Sequence, residues 1–146
     1  MEDNKLSFDT NIYNNFIKGV NIQLITLKSV NINNDIALQN INNLSVELKY
    51  DNDIFEKNEN SIEVFPQFIV NSTPNNQDAN ELLKIEFTFS ISYSISDLSN
   101  YGQEYIDYFL SRNVPINIWP YARELISSFT IRMGYPALII EPFRIN

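Results

Sequence analysis

Apolar and polar residues alternate without interruption from Leu83 to Ile95. In an extended strand this alternation points the apolar side chains to one face and the Lys, Glu, Thr and Ser side chains to the other. A strand with one apolar and one polar face is typical of an antiparallel sheet that is covered on one side only. The pattern therefore predicts a strand at residues 83–95 and a second layer that packs on its apolar face.

Three earlier segments are also predicted to be strands. Residues 20–32, with the sequence VNIQLITLKSVNI, are rich in β-branched side chains and alternate with slips of register, which indicates a long strand with a bulge. Residues 44–50 alternate regularly, and residues 61–70 form a third apolar run that contains Pro66. Since proline cannot donate a ladder hydrogen bond, this strand is predicted to lie at an edge or to carry a bulge. Residues 1–14 are predicted to be loose, and residues 33–43 and 71–80 to be connections.

The last third of the chain has the spacing of a helix. Trp119, Ala122, Ile126, Phe129 and Met133 recur at intervals of three and four residues. Asn117 is predicted to cap this helix, Pro120 to lie in its first turn, and Gly134 to end it. Residues 96–113 are predicted to form a short helical crossover. The expected fold is α+β: a four-stranded antiparallel sheet with the crossover and the long C-terminal helix on one face, in a single domain over residues 1–146.

Composition narrows the chemistry that this domain can perform. The 146 residues include no cysteine and no histidine, which excludes disulfides, thiol catalysis, cysteine zinc sites and a Ser-His-Asp triad. The net charge of −8 disfavours nucleic acid as a partner. The polar, acidic N-terminus lacks the pattern of a signal peptide and no apolar run approaches a membrane span, so a cytoplasmic location without membrane insertion is expected.

The polar residues of the helix at first suggest an active site, because Arg123 and Glu124 precede Ser127 and Ser128. A serine nucleophile needs a base, however, and no histidine is available. These side chains are therefore predicted to lie at a packed interface, and the protein is predicted not to be an enzyme. Asp51, Asp53 and Glu56 loosely match a calcium loop but lack its glycine and distal glutamate, so a hairpin turn is favoured and no metal or cofactor is expected.

Aromatic residues are concentrated in the crossover, between Tyr101 and Leu110. One interpretation is that these rings fill the core above the sheet. The other is that they line an apolar groove that binds extended peptides with little sequence preference.

Two segments resemble a known family. The stretch NIWPYARELISSFTIRMGYPALIIEPF resembles the C-terminal signature of the SecB export chaperones, and residues 20–32 look like the first strand of that family. The resemblance covers about residues 16–143. It implies a homotetramer, built as a dimer of dimers with the long helices between the sheets. It also implies ATP-independent capture of unfolded polypeptides, such as preproteins, in apolar grooves.

The resemblance also implies roles for individual residues. Glu86 corresponds to a place where the family contacts the SecA motor. The residues implied for the client-binding groove are Tyr101, Tyr105, Ile106, Tyr108, Phe109, Leu110 and Trp119. Those implied for the subunit interface are Trp119, Tyr121, Arg123, Glu124, Ile126, Ser127 and Phe129.

The chain departs from the family in two respects. It stops at PFRIN, where family members continue into a second helix and an acidic tail that contacts SecA, and Ser29 and Asn33 occupy two positions that are acidic in the family. Some relatives guard the antitoxin of a toxin–antitoxin pair. Two hypotheses follow: a holdase whose client is an unfolded preprotein or an antitoxin, or a structural assembly subunit that keeps the fold but has lost client binding.

Overall fold

The computed structural model describes residues 8–34, 44–74 and 83–144, and every structural statement below concerns these residues. Two α-helices and six strands follow one another along the chain, with a short 3₁₀ turn at Leu98–Asn100 between the last strand and the second helix. The elements are α1 (Thr10–Lys18), β1 (Val20–Asn34), β2 (Leu44–Asp51), β3 (Phe55–Lys57), β4 (Ser61–Val64), β5 (Gln67–Pro74), β6 (Leu83–Ile95) and α2 (Gln103–Arg132).

All strand pairs are antiparallel, and β6 lies at the centre of the sheet. It pairs with β1 on one side and with β5 and then β4 on the other, while β2 pairs with β5 and β3 with β4. The six strands therefore occupy four positions across the sheet, the number of strands that was predicted, and the short β3 includes Glu56, where a hairpin turn was favoured. The third predicted strand lies inside the sheet and not at an edge. It is divided at Phe65–Pro66, because Pro66 has no amide hydrogen for the ladder. The carbonyl of Pro66 still accepts the amide of Phe89 at 3.0 Å.

The predicted strands are otherwise confirmed, with differences at their ends. β6 spans Leu83–Ile95 with strictly alternating burial, and β1 has register shifts at Ile22/Leu24 and Leu27/Ser29, where the sequence predicted a bulge. β5 continues to Pro74, so residues 71–74 are strand and not the predicted connection. β1 likewise continues to Asn34, so residues 33–34 are strand and not connection. The remaining parts of the two predicted connections, residues 35–43 and 75–80, lie outside the described residues.

The predicted start of the long helix is wrong. α2 begins at Gln103, after Gly102, and continues through both Pro115 and Pro120, so Asn117 is an interior residue and not a cap. Each proline removes one helical hydrogen bond, which is costly in isolation. Burial of the same face of the helix against the sheet outweighs this local preference, since Val114, Ile118 and Ala122 are fully buried. The predicted end is confirmed: Gly134 has a left-handed φ of 91° directly after the helix.

The N-terminus is more ordered than the sequence suggested. Residues 10–14 belong to α1, whose first turn is capped by the Asp9 carboxylate accepting the amides of Asn11 and Ile12 at 2.8 and 3.4 Å. Residues 1–7, the rest of the predicted loose segment, lie outside the described residues.

The core lies between the apolar face of the sheet and α2. The Phe68 and Phe87 rings stack at its centre with centroids 5.1 Å apart, and the Phe109 ring of α2 meets the Tyr93 ring edge-on at 4.9 Å. The Tyr93 hydroxyl donates to the Asn117 side chain at 3.0 Å, which gives this helix-interior asparagine a buried partner. The layer predicted above residues 83–95 is therefore present, and it is built mainly by α2.

Candidate functional site

An open apolar groove of about 440 Å³ lies between β2 and the extended C-terminal segment, residues 138–144. Val46 and Leu48 line its β2 side, Trp119 of α2 lies at its base, and residues 138–144 form the opposite wall. Val46 is 47% exposed, so apolar surface is accessible in the groove.

Side chains of α2 hold the C-terminal segment in place through its main chain. The Thr130 hydroxyl accepts the Leu138 amide at 2.9 Å, and Arg123 Nε donates to the Ile140 carbonyl at 2.9 Å. Trp119 Nε1 donates to the Glu141 carbonyl at 2.6 Å. Because these bonds fix the backbone, the segment forms a defined wall whose Ile140 side chain is buried.

The Trp119 ring divides the groove from a second depression of about 180 Å³. It contacts Phe143 at a centroid distance of 5.4 Å, and Phe68 and Tyr50 at 5.4 and 5.6 Å. Ile116, together with Pro142 and Phe143, lines the second depression. Two neighbouring apolar depressions of this kind can accept successive side chains of one extended peptide.

β2 also contributes main-chain polar groups to one side of the groove. Among the described residues β2 pairs only with β5, so its other edge presents amide and carbonyl groups without ladder partners. An extended peptide can satisfy such an edge by main-chain hydrogen bonds while its side chains enter adjacent pockets. Recognition of this type depends on backbone and apolar surface, and therefore tolerates many sequences.

Tyr50, whose ring contacts Trp119, carries a shifted pKa beside the groove. Burial raises the pKa of Tyr50, partly offset by the nearby Asn52 side chain, so the Tyr50 hydroxyl stays neutral at physiological pH. This hydroxyl has no hydrogen-bond partner among the described residues. Within the same part of the chain, no three Asp or Glu side chains come close enough to share a metal ion.

The structure does not bring the seven predicted groove residues together. Tyr105, Ile106, Phe109 and Leu110 are buried in the core, which corresponds to the first of the two interpretations of the aromatic cluster. Tyr101 and Tyr108 are half-buried beneath α1, and only Trp119 lies in the open groove. A groove lined by all seven is therefore not open in this chain, and a client-binding role for the other six stays a prediction.

The predicted interface residues also lie in different surroundings. Ile126 is fully buried within this chain, Arg123 is engaged with the C-terminal segment, and Trp119 belongs to the groove. Tyr121 and Glu124 are exposed, although the Tyr121 ring also meets the buried Phe89 ring at 6.5 Å, and Ser127 and Phe129 are half-buried. Of the seven, Tyr121 and Glu124 are thus the most available to another subunit.

Two apolar surfaces escaped the sequence reasoning. On β1, which pairs only with β6 among the described strands, four large apolar side chains are exposed: Ile22, Leu24, Leu27 and Val30. On α2, Ile116 and Ile131 are exposed beside the predicted interface residues. The groove residues Val46 and Leu48 were also missed, although their alternation in β2 showed that they share one face. Glu86 lies on the polar face of the sheet and accepts a hydrogen bond from Gln67 Nε2 at 3.2 Å.

Comparison with known proteins identifies the family. The sequence profile described as "Preprotein translocase subunit SecB" matches residues 9–146. The chain belongs to the SecB family. Among curated proteins, none matches the sequence.

Solved structures agree with this membership at the level of the fold. A SecB-like chaperone from Mycobacterium tuberculosis, in complex with a ChAD peptide from the HigA1 antitoxin, superposes with a TM-score of 0.77 at 15% identity. The match covers 89% of this chain and 94% of that one. A protein of unknown function from Streptococcus agalactiae gives a TM-score of 0.40 at 11% identity over 84% and 96% of the chains, a likeness too low to inform the comparison. None of the helices described in this SecB-family chain has the length and apolar character needed to cross a membrane.

Proposed function

We propose that this SecB-family protein is an ATP-independent holdase that binds unfolded or extended polypeptides in the groove around Trp119. The observation that carries the proposal is a β2 edge without a ladder partner among the described residues, with exposed apolar surface beside it. A client strand that pairs with β2 gains main-chain hydrogen bonds, and its apolar side chains are removed from water against Val46, Leu48 and Trp119. Neither contribution requires a nucleotide, a cofactor or a catalytic group.

The charge of the protein favours some clients over others. At a net charge of −8, unfolded segments rich in Lys and Arg are attracted during encounter, whereas nucleic acid is repelled. Preproteins awaiting export and an antitoxin are both candidate clients. The second is supported by the Mycobacterium tuberculosis relative, whose structure contains an antitoxin peptide. For export we propose Glu86, on the polar face of the sheet, as a contact for SecA. Both roles place the protein in the cytoplasm.

We also propose that the protein assembles as a tetramer, a dimer of dimers. The long β1 edge carries exposed apolar side chains and Lys28 as its single charged residue, so little in its sequence discourages pairing with another strand. The outer face of α2 adds Tyr121, Glu124 and Ile131 as a second contact surface. These two surfaces do not overlap the groove around Trp119, which leaves the groove accessible in an assembled particle.

The holdase proposal is tested by a pair of matched substitutions. Val46→Ser removes exposed apolar surface inside the groove, and Ile54→Ser removes exposed apolar surface outside it, where Ile54 is 67% exposed. From the area of Val46 that a client would cover, we expect Val46→Ser to weaken binding of an unfolded polypeptide by about 1 kcal/mol, or about fivefold. Ile54→Ser should bind like the parent protein, and equal affinities for the two variants would contradict the groove assignment.

A second candidate function is that of an assembly subunit without clients. It is favoured by the burial of Tyr105, Ile106, Phe109 and Leu110, which removes much of the predicted groove from solvent. The solution mass together with a client-binding measurement separates the two functions. The assembly subunit would be supported by a particle of about four times the 17.0 kDa chain mass that does not bind unfolded polypeptides.

A further inference from the structure

α1 and the residue pair before it cover the aromatic part of α2. Three rings on the inner side of this segment, Phe8, Tyr13 and Phe16, which we call the lid rings, contact four rings at and just before the start of α2. Those four, which we call the crossover rings, are Tyr101, Tyr105, Tyr108 and Phe109. The ring centroids of the contacting pairs are 4.7 to 5.6 Å apart. Four of the seven residues that the family resemblance implies for client binding are thus covered by a segment of the same chain.

The polar contacts of α1 lie along the rim of this aromatic surface. The backbone amide of Asp9 donates to the Tyr105 hydroxyl at 3.1 Å, and Asn15 Nδ2 donates to the Tyr101 hydroxyl at 2.9 Å. The Tyr13 hydroxyl donates to the Asn113 side chain. The first of these is a main-chain amide bonded to a side-chain hydroxyl, which is a bond that the backbone of any extended polypeptide can make.

α1 has little stability of its own. Nine residues are too few for a helix that persists alone in water, so α1 depends on its contacts with the crossover rings. Its Asp9 cap and its outer residues are exposed, and Gly19 alone separates it from β1. Release of the lid rings would therefore allow the whole of α1 to unfold while the sheet stays paired.

We propose that α1 is an autoinhibitory lid: the lid rings occupy a site that aromatic side chains of a client enter when α1 detaches. The proposal rests on the holdase function, and it adds to the groove around Trp119 a second, gated subsite that selects unfolded segments containing Phe, Tyr or Trp. Rings on the client replace the lid rings against the crossover rings, and a client amide replaces that of Asp9 at the Tyr105 hydroxyl. Since only the open fraction binds at this subsite, the apparent affinity for aromatic segments rises in proportion to that fraction.

Two exposed positions of α1 test the gate with opposite expected effects. Asp9→Ala removes the helix cap but leaves every lid and crossover ring in place; the typical loss for such a cap, about 1 kcal/mol, corresponds to a lid that is open about five times more often. Asn14→Ala, at an exposed position, raises helix propensity and should leave the lid unchanged or slightly more closed. The probes are two synthetic unfolded peptides that are identical except that one carries Phe where the other carries Leu.

We expect Asp9→Ala to tighten binding of the Phe peptide about fivefold and of the Leu peptide much less, with no tightening in Asn14→Ala. A second experiment closes the lid covalently. The chain has no cysteine, so Asn15→Cys combined with Tyr101→Cys can be joined specifically by a reagent that carries a cleavable disulfide between two maleimides. The linked protein should bind the Phe peptide at least about tenfold more weakly than the unlinked double variant, which already lacks the Tyr101 ring, and reduction of the linker should restore the affinity of that variant.

Trp119 separates failure of the lid from failure of the holdase proposal. It is the single tryptophan of the chain and lies in the open groove, so its fluorescence reports binding there without involving α1. If Trp119 fluorescence responds to both peptides but neither Asp9→Ala nor the linker changes the affinity, the lid is overturned and the holdase stands. If no variant binds either peptide, the holdase proposal fails and the lid fails with it.

Discussion

Thr130 connects the end of α2 to the wall of the groove, and its replacement by valine tests that connection. The Thr130 side chain is buried; its hydroxyl accepts the Leu138 amide at 2.9 Å and lies 3.0 Å from the carbonyls of Ile126 and Ser127. A hydroxyl has one hydrogen, so it donates to one of these carbonyls at a time. Thr130→Val keeps the shape of the side chain but removes both functions.

The expected magnitude follows from which groups lose a partner. The Ile126 carbonyl still accepts its hydrogen bond within the helix, so the loss of the Thr130 hydroxyl costs it little free energy. The Leu138 amide loses its acceptor in a partly buried position, which costs about 1–3 kcal/mol, and the added methyl group recovers part of this. We expect the free energy of unfolding to fall by about 1–2 kcal/mol, which lowers the Tm by about 3–7 °C in a domain of this size.

Thr130→Ser is the control, because it keeps the hydroxyl. It also loses a buried methyl group and is destabilised for that reason, so thermal unfolding alone does not show whether the lost hydrogen bond is the cause in Thr130→Val. The assay that discriminates is hydrogen exchange at the Leu138 amide, measured by NMR. We expect exchange there to become about 5–30 times faster in Thr130→Val and to stay close to the parent rate, relative to global stability, in Thr130→Ser. An unchanged Leu138 rate in Thr130→Val would refute the role given to Thr130 in holding the wall.

Three further predictions concern the core, alkaline pH and assembly. Tyr93→Phe should lower the free energy of unfolding by about 1 kcal/mol, because the hydrogen bond to Asn117 is lost. Tyr50→Phe should leave the free energy of unfolding unchanged or higher, because the Tyr50 hydroxyl has no partner among the described residues. Equal destabilisation of the two variants in urea titrations would contradict this. Burial raises the pKa of both tyrosines. Their contribution to stability is therefore complete below the tyrosine pKa of the unfolded chain, about 10, and is lost as the pH rises above it. Urea midpoints that stay constant from pH 8 to 11 would contradict this loss of stability at alkaline pH. Leu27→Lys on the β1 edge should reduce the assembled mass in light scattering, whereas Ile54→Lys should not, and a full-sized Leu27→Lys particle would exclude this edge from the interface.

The sequence predicted the layers of the fold because their signals are local and repeated. Alternation from Leu83 to Ile95 defined the central strand, and the spacing from Trp119 to Met133 defined the C-terminal part of α2. The start of α2 was missed because Pro115 and Pro120 are strong local signals against a helix interior, and burial of Val114 and Ile118 against the sheet cannot be read from neighbouring residues. Tertiary contact decided this boundary, where local propensity had predicted Asn117.

The candidate site was less predictable than the fold for the same physical reason. Trp119 was correctly singled out, but its surroundings combine β2, α2 and the C-terminal segment, which meet only in the folded chain. From the sequence alone, the aromatic residues from Tyr101 to Leu110 have the composition of a peptide-binding groove. Their exposure depends on α1, where Tyr13 and Phe16 lie among several asparagines. Which apolar side chains stay exposed to solvent depends on contacts between segments that are distant in the sequence.

In the proposed holdase an unfolded client is held as an added strand beside β2. Hydrogen exchange of the protein with and without an unfolded polypeptide, in the absence of ATP, tests this claim directly. We expect client binding to slow exchange at the β2 amides that are not bonded to β5, around Val46 and Leu48, and to change the fluorescence of Trp119. Client binding that leaves β2 exchange unchanged and protects another surface, such as the β1 edge, would contradict it.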